Sequence, residues 1–314
     1  MGVEFDSTKG YPGEGHGRLL EQLHIGHNAR GLTEKAMRDA LLTALRATYG
    51  IVALTETHAK PAEENLWATA WGTGNTYWSS AKDGSRSRGV ALLLSDAILL
   101  EHVKKHVGDG TWDGRFLAVE ATVYRTCKVL FIVTYAPVAS DAADNEAFHL
   151  WVKQQVTTAI PDHGQRCIIW HGDHNVVSNR ALDEHPPAAG AGPPHRGAAA
   201  LNAATHALGV ADAFRELKGT TLEFTRVPID RRHKCRRLDR TFISQKAFTQ
   251  GAPQCLGVWH LTSPLGTERG RHSPQNQAIT GLSSQEWPSP QRSGPKRGGP
   301  STETIYWTQW LEKQ

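Results

Sequence analysis

Residues 167–175 read CIIWHGDHN, and the change of character inside that stretch decides how the rest of the chain is read. Cys167 to Trp170 form a short apolar run of the kind that makes a buried strand. Gly172 lets the backbone turn sharply as it leaves that strand. Asp173 and Asn175 are two apart, so extended backbone would project them to the same side. One supplies charge and the other a neutral amide, a pairing suited to gripping a phosphate oxygen and a metal-bound water. An Asx-type turn without chemistry uses the same two residue types.

The same handover from apolar to polar recurs along the chain. LHIGHNA, from Leu23, reads as a strand ending in a loop at His27-Asn28. Ile51 to Leu54 is a short buried strand that runs into Thr55-Glu56. GVALLLS (89–95), RFLAVEATVY (115–124), KVLFIVTYAP (128–137), RRLDRTFIS (236–244) and QCLGVWHL (254–261) also read as strands. Thr33 is positioned to cap a helix to about Thr48 that gathers Met37, Ala40, Leu41, Ala44 and Leu45 on one face. Helical spacing returns from Asp144 to about Ile160 and from Leu201 to Leu208. Strands mixed with helices in this way predict an α/β or α+β sandwich. Polar clusters sit at many strand ends, where rigid sheets display chemistry.

The 314 residues carry 35 Lys and Arg against 31 Asp and Glu, so the net charge is +4. That permits a polyanionic partner without demanding one. The four cysteines are far apart and form no C-x-x-C pair, which argues against a structural zinc site and a disulfide framework. No run approaches the ~18 apolar residues of a membrane span, and the first residues lack a signal-peptide core. The expectation is a protein of a soluble, reducing compartment. Residues 1–18 read as a flexible leader, 19–282 as one domain, and 283–314 as a Pro/Gly/Ser-rich tail with a short terminal helix.

Several residues admit a chemical and a plain reading. Glu56 is an oxygen donor for a hard divalent cation, or simply the start of a solvated loop. Asp239 is a surface ion-pair partner, or a carboxylate that orients an imidazole, for which His272 is the candidate. Tyr135 packs at a strand end or donates its hydroxyl to a phosphate oxygen. His171 and His174 would suit a zinc or dinuclear site, but no other cluster has matching ligand spacing.

Taken in order, Asn28, LTET with Glu56, VTYAP with Tyr135, GDHN, EFT (223–225), RRLD with Asp239 and HSP with His272 resemble the endonuclease/exonuclease/phosphatase superfamily. The resemblance covers roughly residues 22–282. HNARGL, LTETHA, GVALLL, ALGVADAFR, LEFT and RRLDRTFIS look most like the apurinic-type endonuclease domain of non-LTR (LINE-like) retrotransposons. The resemblance implies a DNase I-like four-layer α/β sandwich, two packed mixed β-sheets flanked by helices. It implies Glu56 as the ligand of Mg²⁺ (or Mn²⁺), assisted by Asn28. Asp173 would activate the attacking water, Asn175 would hold the scissile phosphate and Tyr135 would support it. His272 would stabilise developing charge or act as acid/base, with Asp239 behind it.

One departure stands out. Where the superfamily has Ser-Asp-His, this chain has Gly270-Arg271-His272. A cation beside a Mg²⁺ site repels the metal by about 4 kcal/mol at 4 Å and an effective dielectric constant near 20. A catalytically impaired nucleic-acid-binding remnant is therefore the alternative to an active Mg²⁺-dependent DNA endonuclease. A phosphatase, sphingomyelinase or deadenylase of the same superfamily is a further one. The basic run Arg231, Arg232, Lys234, Arg236 and Arg237 abuts Asp239 and is expected to contact phosphate backbone. The expected partner is nucleic acid, most readily DNA, with no membrane and no obligate protein partner, for a monomer inside the cell or nucleus.

Overall fold

The computed structural model describes residues 24–262, apart from positions 30, 32, 73–74, 126, 139–141, 187–195, 227, 229–233 and 246–257. In chain order the elements are β1 (His24–Asn28), α1 (Lys35–Thr48), β2 (Ile51–Thr55), α2 (Glu64–Trp71), β3 (Thr76–Ser79), β4 (Val90–Leu94), β5 (Leu100–Val107), β6 (Phe116–Val123) and β7 (Cys127–Tyr135). There follow α3 (Ala142–Ala159), β8 (Cys167–Asp173), α4 (Arg180–Asp183), β9 (Glu184–His185), α5 (Arg196–Leu208), β10 (Val210–Asp212), α6 (Ala213–Lys218), β11 (Cys235–Arg236), β12 (Asp239–Ser244) and β13 (Val258–Thr262).

Two mixed sheets carry the fold. One has the strand order β13-β1-β2-β4-β3, the other β10-β12-β8-β7-β6-β5. The two-residue periodicity of a strand sorts the apolar side chains into layers. On β8, Cys167 and Ile169 face the other sheet, whereas Ile168 and Trp170 face outward. On β2, Ile51 and Ala53 face the second sheet, and Val52 and Leu54 face α1 and α2. Outside the six-stranded sheet, Phe148, Val152 and Val156 of α3 pack with Leu201, Ala204 and Leu208 of α5. Outside the other sheet, Leu42 and Leu45 of α1 pack with Trp67 and Trp71 of α2. This is the expected four-layer α/β sandwich of DNase I-like type.

Strands β2, β4, β6, β7, β8 and β12 match the sequence reading to within a few residues. Three details differ. Glu34, not Thr33, occupies the cap position of α1, and it makes no side-chain cap bond. Helix α5 begins five residues earlier than Leu201, at Arg196. Strand β5 is exposed along most of its length, so its residues lack the apolar alternation that would have marked it.

One member of the basic run before Asp239 is not at the surface expected of it. Arg237 is buried, as is Arg240 beyond it. Arg237 Nε pairs with Asp183 Oδ1 at 2.9 Å, and its Nη2 pairs with Asp212 Oδ2 at 2.6 Å. Arg215 Nη2 adds a contact to Asp183 at 2.5 Å. Arg240 Nη2 lies 3.4 Å from the same carboxylate. Arg237 is thus an internal cation that ties the segment entering β12 to the ends of α4 and β10, and phosphate backbone cannot reach it. Lys234 and Arg236 are half-buried and both pair with Glu184. Arg231 and Arg232 lie outside the described residues.

Burial alone would raise the Asp183 carboxyl, but Arg240 and Arg237 outweigh it and hold the group at about 2. A depressed folded-state value contributes stability that is present above the ordinary carboxylate range and is lost as pH falls through about 2. Asp183→Asn is expected to cost roughly 3–5 kcal/mol at pH 7, because it strands buried guanidinium groups. In urea unfolding the difference from wild type should shrink as pH falls from about 4 toward 2. A difference that does not vary with pH would contradict this account.

Candidate active site

The periodicity that builds the core also builds the site. Asn28 ends β1, Glu56 follows β2, Tyr135 ends β7 and Asp173 ends β8. Asp239 begins the antiparallel β12, so it reaches the same end of the sandwich. Register places Asn28 beside Thr55, Tyr135 beside Asp173, and Asp239 beside Asp173. In strands, register partners share a face. The layer between the sheets therefore ends in a ring of polar groups. A crevice beneath it is lined by Gly26, Ala53, Thr55, His171, Gly172 and Asp239, among others.

Asn28 Nδ2 donates to Glu56 Oε1 at 3.0 Å. Glu56 has φ +51°, a left-handed conformation unusual for a long side chain and costing about 1–2 kcal/mol. Such strain concentrates at functional sites. The Glu56 carboxylate lies near enough to the Tyr135 phenol to act on its ionisation. Burial, followed by the negative charges of Glu56 and Asp173, raises the Tyr135 phenol far above its ordinary value. It therefore stays neutral and able to donate.

The GDHN turn is tightly constrained. Asn175 N donates to Asp173 Oδ1 at 3.0 Å, and Asn175 Nδ2 donates to Ala136 O at 2.9 Å. Asn175 itself has φ +50°. Any Cβ at position 172 would run into Thr134, so glycine is required by the approach of β7. The Asx-type turn and the chemical reading thus coexist in these residues. Asp239 is fixed through its backbone: Thr225 Oγ1 accepts from Leu238 N at 3.0 Å and Asp239 N at 3.1 Å.

His171 and His174 do not form a pair of metal ligands. His171 Nδ1 lies 2.7 Å from Thr241 Oγ1 beside the crevice. His174 packs on the other face of the sheet, with ring centroids 5.2 Å from Trp170 and 5.1 Å from Phe242. His272 and Arg271 lie outside the described residues.

Asp173 is almost fully buried, and its carboxyl is pushed well above the ordinary range by burial, then by Asp239, then by Glu56. Among the described residues, no ion pair neutralises Glu56 or Asp173. The carboxyl groups of Glu56 and Asp173, with the Asn28 amide beside Glu56, are hard oxygen donors, which suit Mg²⁺. Among the described residues, no three His, Cys, Asp or Glu side chains are grouped to grip one ion by themselves. Mg²⁺ needs no such cage, since it keeps several waters and is held by one or two carboxylates plus a substrate phosphate.

Sequence reasoning passed over Arg115. Its guanidinium stacks 5.0 Å from the centre of the Tyr135 ring and donates from Nη1 to Tyr135 O at 3.1 Å. Burial lowers it from its ordinary value, yet an arginine keeps its charge. It places a cation beside Tyr135. Nothing in its spacing marked it, because the relation to Tyr135 arises only when β6 pairs with β7. Thr225 was visible only as part of the EFT motif.

The Endonuclease/Exonuclease/phosphatase family model matches residues 24–289. Among solved structures, the catalytic domain of Xenopus laevis APE2 aligns with a TM-score of 0.56 and 17% identity, over 71% of this chain and 82% of that one. The AP endonuclease LMAP from Leishmania major aligns with a TM-score of 0.52 and 16% identity, over 75% and 84%. At that identity the likeness is one of fold. No curated protein sequence matches the chain.

The raised Asp173 carboxyl has a measurable consequence. The folded protein holds this proton more tightly than the unfolded chain does, so stability falls as pH rises from the ordinary carboxylate value. Asp173→Asn removes that charge. In EDTA it is expected to raise the thermal midpoint above wild type, by more at pH 8 than at pH 5. A gap that is the same at both pH values would show that Asp173 is not held against its neighbours' charge.

Proposed function

We propose, from the premise that this chain belongs to the Endonuclease/Exonuclease/phosphatase family, that it is a divalent-metal-dependent phosphodiesterase acting on a DNA backbone. All three activities in the family's name hydrolyse a phosphoester bond, and that is the coarse function the membership supports. The observation that carries the finer reading is the convergence of Asn28, Glu56, Tyr135, Asp173, Asn175 and Asp239 at one end of the inter-sheet layer.

Phosphodiester hydrolysis needs an oriented water, neutralised phosphoryl oxygens and help for the leaving oxygen. Glu56, with Asn28 bonded to it, would hold Mg²⁺, which supplies charge neutralisation on the phosphate. Asp173 accepts the proton of the attacking water, and its raised basicity suits that task. Asn175 keeps one amide hydrogen beyond its bond to Ala136 and directs it to a nonbridging oxygen. Tyr135 donates its hydroxyl, and Arg115 adds positive charge from behind the ring. Asp239 completes the carboxylate set, and His272, outside the described residues, would stabilise the developing charge with Asp239 behind it.

DNA as substrate, and the retrotransposon-type endonuclease in particular, rest on the sequence patterns around LTETHA, LEFT and RRLDRTFIS. Arg237 is excluded from phosphate contact by its burial. Arg271 motivates the second reading, a remnant that binds nucleic acid without cutting it.

Nicking of supercoiled plasmid in Mg²⁺ tests these readings together. Wild type is expected to nick, and EDTA to stop it. Glu56→Gln and Asp173→Asn should each lower the rate by about 10²-fold or more. Cleavage that survives EDTA, or Glu56→Gln at wild-type rate, would sink the mechanism. A silent wild type with an active Arg271→Asp would establish the remnant.

A further inference from the structure

Helix α3 carries a buried asparagine that the mechanism above does not use. Asn145 is 2% exposed, on a helix whose other buried side chains are Phe148, His149, Val152 and Val156, and His149 Nε2 also lies 3.4 Å from His174 O. Burying an amide without need is unfavourable, so its bonds reveal its work. Asn145 Nδ2 donates to Pro137 O at 2.8 Å and to His174 O at 3.0 Å. Pro137 lies two residues past Tyr135, and His174 lies between Asp173 and Asn175. One side-chain amide therefore spans the two turns that carry the reacting groups.

The surrounding contacts make this a clamp. Asn175 Nδ2 joins the same two turns from the other side by donating to Ala136 O, and Ala136 N donates to Asp173 O at 2.9 Å. A Cβ at Gly197 of α5 would collide with Asn145 Oδ1, so α5 presses the amide into place. Both acceptors are carbonyls, so only a nitrogen with two hydrogens can face them. Asn175 sits at φ +50°, a conformation that neighbours must hold.

We infer that Asn145 is a positioning residue, which sets the separation of Tyr135 from Asp173 and Asn175 without touching substrate. This rests on the function proposed above. Losing it should loosen the turns by a fraction of an ångström to an ångström, and misplacement of that size costs up to about 10²-fold in rate. The loss should fall on kcat, because phosphate affinity comes from groups that Asn145 does not carry.

The test is steady-state cleavage of a fluorescent duplex oligonucleotide in Mg²⁺ by wild type, Asn145→Ala, Asn145→Ser, Asn175→Ala and the Asn145→Ala/Asn175→Ala double variant. Each is assayed well below its own thermal midpoint. Asn145→Ala is expected to lower kcat by about 10- to 100-fold with KM within about twofold of wild type. Asn145→Ser, which keeps one donor, should fall between, and it carries the prediction if the alanine variant does not fold. The double variant should lose far less than the product of the single losses. Unchanged kcat in a variant whose midpoint has dropped would make Asn145 purely structural and overturn the inference while leaving the function intact. A wild type that cleaves no phosphodiester would overturn both.

Discussion

Asp173 is buried at the mouth of the inter-sheet layer with Asp239 and Glu56 close enough to raise its carboxyl. Like charges gathered where water is scarce repel, and the fold must supply the free energy to keep them there. It does so with backbone. Parallel pairing of β7 with β8 and antiparallel pairing of β8 with β12 fix Tyr135, Asp173 and Asp239 in register. Apolar layers beneath those strands, from Val133 and Ile169 downward, make the pairing stable. The strained Glu56 and Asn175 backbones are held by the same scaffold.

The opposite face of the six-stranded sheet solves a complementary problem. There the charges are positive, with Arg237 and Arg240 buried against Asp183 and Asp212. Because β12 alternates faces, Asp239 points into the site while Arg240 points into this ionic knot. The knot fixes the phase of β12, and hence the direction of Asp239. Removing one partner would leave uncompensated charge in the interior, so the arrangement specifies the fold as much as it stabilises it.

Much of this was readable from the chain. The continuous apolar runs of β7 and β8 and the polar residue ending each one marked the strand ends where the candidate residues sit. The resemblance ordered the candidates, and the structure brings Asn28, Glu56, Tyr135, Asp173, Asn175 and Asp239 to one end of the sandwich. What was not readable depended on tertiary partners. The sequence of Arg237 looks like a solvated charge run, and it is Asp183, 54 residues away, together with Asp212, that turns it inward. Arg115 and Asn145 have no motif, because their roles come from strands and turns that meet through pairing. Exposed β5 gave no alternation to detect. His272 lies outside the described residues.

The central claim is that these carboxylates form a divalent-cation site, and binding linkage measures it without requiring turnover. A ligand that binds only the folded state raises stability in proportion to the logarithm of its concentration above Kd. The thermal midpoint should therefore rise with Mg²⁺ in wild type, and Glu56→Gln should show little or no rise over the same titration. Equal shifts in the two proteins, or none in wild type, would contradict the account.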